Sequence, residues 1–248
     1  MAGGIADNKG RGGVPRTIPA IRPEGRRLGL GLGAAALVAV LLGWGWMFVI
    51  LAIAAASVFA SFRDPERVVL QDTDAIIAPG DGTVLHIVEE SPPEELQFDD
   101  GTGAGLSPEP VVRVSIQLAW TDVRVNRTPI EGTVRRLVYV PGLFAATEVD
   151  RAGHENERQY FLVERIDGTR VGMSQVAGPV GRRLSSFVKV GDSVGVGQRA
   201  GIAGLGSRLD IWLPGHTDAN VLVGQRCVAG ETVIGRKDRR MTIEGVRL

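Results

Sequence analysis

Two hydrophobic patterns divide the chain. Between Leu28 and Phe62 no residue is charged, whereas beyond Arg63 apolar residues recur at every second position. The first pattern reads as helix in an apolar environment, too long and without the small-residue cleavage site of a signal peptide. As one helix it would measure roughly 50 Å at 1.5 Å per residue, against a hydrocarbon core of about 30 Å. Gly43-Trp44-Gly45-Trp46 lies near its middle and would split it into halves of about 15 residues, each too short to span alone. Residues 28–62 are therefore expected to anchor the chain in a membrane, as one tilted span or as a re-entrant hairpin. Residues 1–27 carry Lys9, Arg11, Arg16, Arg22, Arg26 and Arg27 among Gly and Pro, the composition of a disordered basic arm. That arm favours a cytoplasmic N-terminus. One span would then export the remainder, and a hairpin would return it.

The second pattern predicts strands. Val112, Val114, Ile116 and Leu118 alternate, as do Leu209, Ile211 and Leu213. Residues 76–84 read as strand, turn, strand, with Pro79, Gly80 and Gly82 in the turn. Residues 122–134 alternate up to Pro129 and Gly132, and residues 160–163 and 169–176 have strand composition. The acidic, Pro- and Gly-containing residues 89–110 read as a surface loop, and the charged residues 146–158 as a short helix or loop. A weak repeat follows: Val190-Gly191-Asp192-Ser193-Val194-Gly195-Val196-Gly197 is echoed by Val223-Gly224-Gln225-Arg226-Cys227-Val228-Ala229-Gly230. Such pairs suggest the pseudo-symmetric hairpins of lipoyl-type domains. The expected fold is mainly β: an antiparallel β-sandwich or barrel-like domain over residues 63–248, with lipoyl-like C-terminal hairpins, behind a helical membrane anchor.

Composition narrows the chemistry. Twenty-eight basic and 28 acidic side chains balance, so no global charge calls for nucleic acid. One cysteine, Cys227, excludes an internal disulfide, and it fills the repeat slot of Val194, which makes it a buried apolar residue. His86, His154 and His216 are scattered at no metal-ligand spacing, so no metal is expected. Lys189 adjoins a strand end and does not suit a swinging-arm carrier.

Gly206-Ser207 stands at the entrance of the 207–213 strand. A serine hydroxyl beside a small, flexible glycine carbonyl can attack that carbonyl and move the acyl group from nitrogen to oxygen. Elimination and hydrolysis then leave a pyruvoyl group at position 207, a carbonyl electron sink of the kind cofactors supply. Alone, the dipeptide reads as a turn before a strand. By themselves Asp81 reads as a turn cap and Arg124 and Arg127 as surface arginines.

Six motifs in order change that reading: Phe62-Arg63-Asp64-Pro65-Glu66-Arg67, Ala78-Pro79-Gly80-Asp81-Gly82, Asp122-Val123-x-Val125-Asn126-Arg127-x-Pro129, Asn156-Glu157-Arg158, Gly206-Ser207-Arg208 and Leu213-Pro214. Together they resemble the short form of the phosphatidylserine decarboxylase family, over residues 40–236. The resemblance implies a precursor that cuts itself between Gly206 and Ser207. A β-chain of residues 1–206 would remain paired with an α-chain beginning at a pyruvoyl group made from Ser207. That ketone would condense with the serine amine of phosphatidylserine, and loss of carbon dioxide would yield phosphatidylethanolamine. The apolar N-terminus would hold the domain at the membrane, on its cytoplasmic face. Asp81 matches the family aspartate associated with base chemistry in self-cleavage.

Arg124 departs from the pattern, because the family usually has histidine there. A guanidinium with a pKa above about 12 does not shuttle protons near neutrality, but it binds carboxylates and oxyanions through paired hydrogen bonds. Arg124 and Arg127 are thus candidates for substrate binding. The alternative is a non-decarboxylating or uncleaved membrane-anchored relative that binds lipid or a protein partner.

Overall fold

The computed structural model describes residues 20–21, 23–61, 63–98, 103, 105–147, 152–180 and 184–237. Most of the predicted basic arm, Phe62, and parts of the 89–110 and 146–158 segments lie outside them. The apolar run is divided where its glycines predicted. Helix α1 (Pro23–Leu41) and helix α2 (Gly45–Ser61) are joined through Gly43, whose φ of +74° suits a residue without a side chain. Small residues let the helices meet: Ala36, Ala39 and Ala55 are buried, and Gly29 abuts the Phe59 ring so closely that a Cβ would sit 2.5 Å from it. Leu30, Leu37, Leu41, Trp46 and Ile53 point outward and are exposed. No described helix is long and apolar enough to cross a membrane. At the base of the hairpin, β1 (Ala20–Ile21) pairs antiparallel with β2 (Arg63–Asp64).

The rest is mainly β, as expected. In chain order come β3 (Ala75–Ile77), β4 (Gly82–Glu90), β5 (Val111–Gln117), β6 (Val125–Arg127) and β7 (Gly132–Val140). After the single-turn helix α3 (Ala152–Glu155) follow β8 (Arg158–Glu164), β9 (Arg170–Val176), β10 (Ser185–Ser186), β11 (Ser193–Val194) and β12 (Arg199–Ile202). The last three are β13 (Arg208–Trp212), β14 (Arg226–Cys227) and β15 (Val233–Arg236). One antiparallel sheet has the order β11-β7-β8-β9-β13-β5-β4-β14. Two small sheets, β10-β12-β6 and β15-β3, complete the fold.

The repeat forms corners rather than closed hairpins, which corrects the lipoyl-like expectation. Strand β11 pairs with β7 while β12 pairs with β6; likewise β14 pairs with β4 while β15 pairs with β3. Each repeat therefore bridges the large sheet and a small one. The strands it grips are themselves related, since Pro79-Gly80-Asp81-Gly82-Thr83-Val84 is echoed by Pro129-Ile130-Glu131-Gly132-Thr133-Val134. The two turns exchange reciprocal bonds: Ile77 N–H donates to Pro129 O at 3.0 Å, and Arg127 N–H to Pro79 O at 2.7 Å. Gly82 and Gly132 occupy matching places where a Cβ would meet a neighbouring backbone oxygen at 2.4 and 2.2 Å. Val194 lies opposite Gly132 and Cys227 opposite Gly82, so Cys227 takes the apolar slot that the repeat assigned to it.

The main core lies on one face of the large sheet. Leu209 and Ile211 from β13 join Val114 and Ile116 from β5, Phe161 and Val163 from β8, and Ile76, Ala200 and Ile234 from the small sheets. Alternation sends Arg208, Asp210 and Trp212 to the opposite face. There Trp212 packs with Tyr160, Leu162, Leu96 and Leu106 in a second cluster. Strand β13 is consequently buried on both faces and hydrogen-bonded along both edges, to β5 and to β9.

Candidate active site at the entrance to the central strand

Ser207 immediately precedes β13 and is fully buried. Its backbone carbonyl accepts the Leu118 N–H at 2.9 Å, which fixes the first residue of the strand. Its hydroxyl donates to Gly204 O at 2.5 Å. Gly206 holds a φ of +67°, in the left-handed region that a side chain disfavours. The chain thus turns sharply at Gly206 and enters the rigid sheet at Ser207, with the hydroxyl oriented by the turn that precedes it.

The Gly206 carbonyl oxygen has its own partners. Thr147 Oγ1 donates to it at 2.5 Å, and Gln117 Nε2 lies 3.4 Å away. Gln117 Nε2 also donates to Thr147 Oγ1 at 2.8 Å. Gln117 ends β5 on the face away from the core, opposite Arg208 in register. Thr147 comes from a strap that Asn156 secures: Ala145 N–H donates to Asn156 Oδ1 at 3.1 Å, and Asn156 Nδ2 donates to Ala145 O and Ala177 O, both at 2.9 Å. Beneath the turn lies Gly178, where a Cβ would stand 2.3 Å from the carbonyl oxygens of both Leu205 and Gly206.

The predicted residues disperse around this point. Asp81 accepts from Arg67 NH2 at 2.7 Å and from the Ala229 N–H at 2.8 Å. Register runs from Thr83 through Gln117 to Arg208, a two-strand separation of roughly 10 Å, so the turn that carries Asp81 and the entrance at Ser207 share one end of the sheet. Arg124 is buried, and its NH1 donates to Ala203 O at 3.1 Å, within the loop that leads into Gly206. Burial pushes its pKa down to about 10, which still leaves it cationic at neutral pH. Arg127 faces elsewhere. It donates to Gly197 O at 2.9 Å and to Pro65 O at 3.0 Å, and lies 3.5 Å from Asp64; burial lowers its pKa, against the opposing pull of Asp64.

The charged motif after the helices is also accounted for. Asp64 pairs with Arg199 at 2.6 Å, and Arg67 pairs with Asp81, so the segment below the helical hairpin is clamped onto the domain by ion pairs. On the outer face of β13, Arg208 binds Asp210 at 2.9 Å, while Asp210 accepts from Ser115 Oγ at 2.5 Å and lies 3.3 Å from Arg113. His154 lines a cleft of about 110 Å³ beside Arg208 and Asp210, and His216 lines a separate one with Asp167 and Lys237. Thr147, Gln117 and Gly178 escaped the sequence reading. Thr147 sits in a charged stretch and Gly178 precedes a proline, so both read locally as loop.

Comparisons with known proteins agree with the motifs. A family model described as phosphatidylserine decarboxylase matches residues 55–235. A protein of Novosphingobium aromaticivorans named phosphatidylserine decarboxylase proenzyme is 47% identical over 247 residues, 99% of this chain and 98% of that protein. One of the same name from Erythrobacter litoralis is 49% identical over 246 residues, 99% of each chain. Another, from Zymomonas mobilis, is 39% identical over 232 residues, 93% of each.

Proposed function

The chain belongs to the phosphatidylserine decarboxylase family, and we propose that it is made as a precursor, cuts itself between Gly206 and Ser207, and then acts at a membrane surface. The activity is that of a carboxy-lyase, removing the headgroup carboxylate of phosphatidylserine to leave phosphatidylethanolamine. One observation carries the maturation step: a buried serine at the start of β13 follows a glycine whose left-handed turn and bound carbonyl single out that peptide bond. A pyruvoyl group fits here because it is made from Ser207 itself, at a place already shielded from water. Such a carbonyl supplies an electron sink for the decarboxylation.

The protein's own residues have the following parts. Attack by Ser207 Oγ on the Gly206 carbonyl carbon forms an ester as the Gly206–Ser207 C–N bond breaks, and the hydroxyl proton passes to the freed amine. Loss of the Ser207 α-proton then expels the Gly206 carboxylate. The enamine left at position 207 takes a proton at its β-carbon to become an imine, which water hydrolyses to the ketone with release of ammonia. Asp81 is assigned to proton acceptance in this sequence, acting through water over the two-strand distance. Arg124 is assigned to the substrate carboxylate, since it is cationic at neutral pH and touches the loop before Ser207. Arg127, engaged with Gly197, Pro65 and Asp64, serves the framework instead. Because β13 bonds to β5 and β9 along its whole length, the two products stay associated.

The exposed apolar faces of α1 and α2 support a hairpin dipping into one leaflet, which keeps the β domain on the side of the N-terminus. With the basic arm, that favours the cytoplasmic face. Intact-mass measurement tests the maturation. The expected result is a fragment starting at position 207 with a blocked, pyruvoyl N-terminus, and carbon dioxide release from phosphatidylserine in detergent. A single unbroken chain with intact Ser207 overturns the reading.

A further inference from the structure

We infer that Thr147, positioned by Gln117 and Asn156, is the hydrogen-bond donor that stabilises the oxyanion formed at Gly206 during self-cleavage; this rests on the maturation reading above. In the attack, the Ser207 Oγ–C bond forms at the Gly206 carbonyl carbon and the carbonyl π pair moves onto the Gly206 oxygen. When that pair returns, the C–N bond to Ser207 breaks and the nitrogen leaves as the amine carrying the hydroxyl proton. Charge therefore develops on one identifiable atom, Gly206 O. A donor already aimed at that atom in a water-excluded site stabilises the charge without reorganisation.

Thr147 meets those conditions. Its hydroxyl lies 2.5 Å from Gly206 O, and the residue is 1% exposed. A threonine hydroxyl has one proton, and its direction depends on what donates to the oxygen. Gln117 Nε2 donates to that oxygen at 2.8 Å and Gln117 Oε1 lies 3.0 Å from it, so Gly206 O at 2.5 Å is the nearer acceptor for the Thr147 proton. The same amide lies 3.4 Å from Gly206 O, placed to close in as the oxygen becomes more negative. Asn156, fully buried, binds Ala145 through both ends of its amide, two residues before Thr147, and holds Ala177 beside Gly178. The Asn-Glu-Arg motif thereby sets the height of the hydroxyl above the turn. Asp81 bonds instead to Arg67 and the Ala229 N–H, so the donor and the proposed proton acceptor are separate groups.

The test is a time course of chain cleavage in full-length precursor made by cell-free synthesis. Thr147→Val keeps the shape and removes the donor; it is expected to slow cleavage roughly 100-fold, the scale of a lost oxyanion donor. Thr147→Ser restores the hydroxyl and is expected to cleave within about threefold of wild type. Hydroxylamine, which opens esters, should not restore chain separation in Thr147→Val, because the lost interaction acts before the ester forms. Wild-type cleavage rates in Thr147→Val overturn the inference, as does equal slowing in Thr147→Ser or full rescue by hydroxylamine. Should Thr147→Val fail to fold, Gln117→Met decides: it leaves the hydroxyl but removes its positioning donor and should slow cleavage several-fold, whereas an unchanged rate overturns the inference. A wild-type chain that never cleaves defeats the maturation reading itself, a result distinct from all of these.

Discussion

Asp81 and Arg67 form a 2.7 Å ion pair in which both side chains are largely shielded from solvent. The pair ties the segment below the helical hairpin to a turn at the same end of the sheet as Ser207. It therefore couples two roles that mutation can separate. Asp81→Asn keeps an acceptor for the Ala229 N–H but loses the basic carboxylate, and cleavage should fall roughly 100-fold or more, within the range of general base catalysis. Arg67→Met breaks the same ion pair while sparing the carboxylate and should slow cleavage far less. Gel-resolved cleavage rates compare them, and equal losses would assign the effect to the ion pair.

Arg124 should stay charged throughout the pH range in which the mature enzyme works. Its pKa, pushed down to about 10 by burial, remains above the working range, so it holds its proton from pH 5 to 9. No ionisation at position 124 should then shape the decarboxylation profile near neutrality. The pH dependence of stability that its burial imposes is confined to strongly alkaline pH, from about 10 up to the ordinary arginine range; there the unfolded chain binds the extra proton and stability rises with pH. Arg124→His should introduce a new limb near pH 6.5, the ordinary imidazole range. Carbon dioxide release measured against pH distinguishes the two profiles, and identical ones would remove Arg124 from the substrate site.

Cys227 behaves as a small hydrophobic residue. Burial raises its pKa to about 11, so the native protein keeps the thiol proton while an unfolded chain loses it above roughly pH 8.5. Stability should fall slightly as pH rises from about 8.5 toward 11, because the native state binds the extra proton there. Native protein should resist iodoacetamide at neutral pH. Cys227→Val, matching Val194, should leave the denaturation midpoint nearly unchanged, whereas Cys227→Ser should cost about 1–3 kcal/mol for an unpaired buried hydroxyl.

Gly178 has no room for a side chain under the cleavage turn. In Gly178→Ala the new methyl would meet the Leu205 and Gly206 carbonyl oxygens at 2.3 Å, so the turn must shift and the Gly206 carbonyl lose its present alignment with Thr147. Cleavage should slow at least tenfold by loss of that donor, while far-ultraviolet circular dichroism remains that of wild type. Unaltered cleavage would show that the turn tolerates the displacement.

Asp210 is the only carboxylate shared by Arg208 and Arg113 among the described ion pairs. Asp210→Ala removes the carboxylate that buried Arg208 binds at 2.9 Å, while Arg113 keeps Glu90 at 2.6 Å, and should destabilise the fold by about 3–5 kcal/mol. Thermal unfolding then shifts downward by roughly 2–4 °C per kcal/mol for a chain of this size.

Local information in the sequence determined a good part of this protein. Glycine at position 43 marked the break in the apolar run, alternation located β13, and the repeat placed Cys227 in the slot of Val194. Each is a short-range property: backbone freedom, side-chain period, or spacing within a turn. The chemistry-bearing dipeptide was equally legible, because Gly206 and Ser207 are neighbours. Tertiary structure alone decided which groups surround them. Thr147 and Gln117 lie 59 and 89 positions from Gly206, and only the register of β5 against β13 and the Asn156-bound strap bring them to its carbonyl. Arg124 and Arg127, read alike from one motif, were parted for the same reason. One reaches the loop before Ser207, the other turns to Pro65 and Gly197, and that choice depends on which strands pack beside β6.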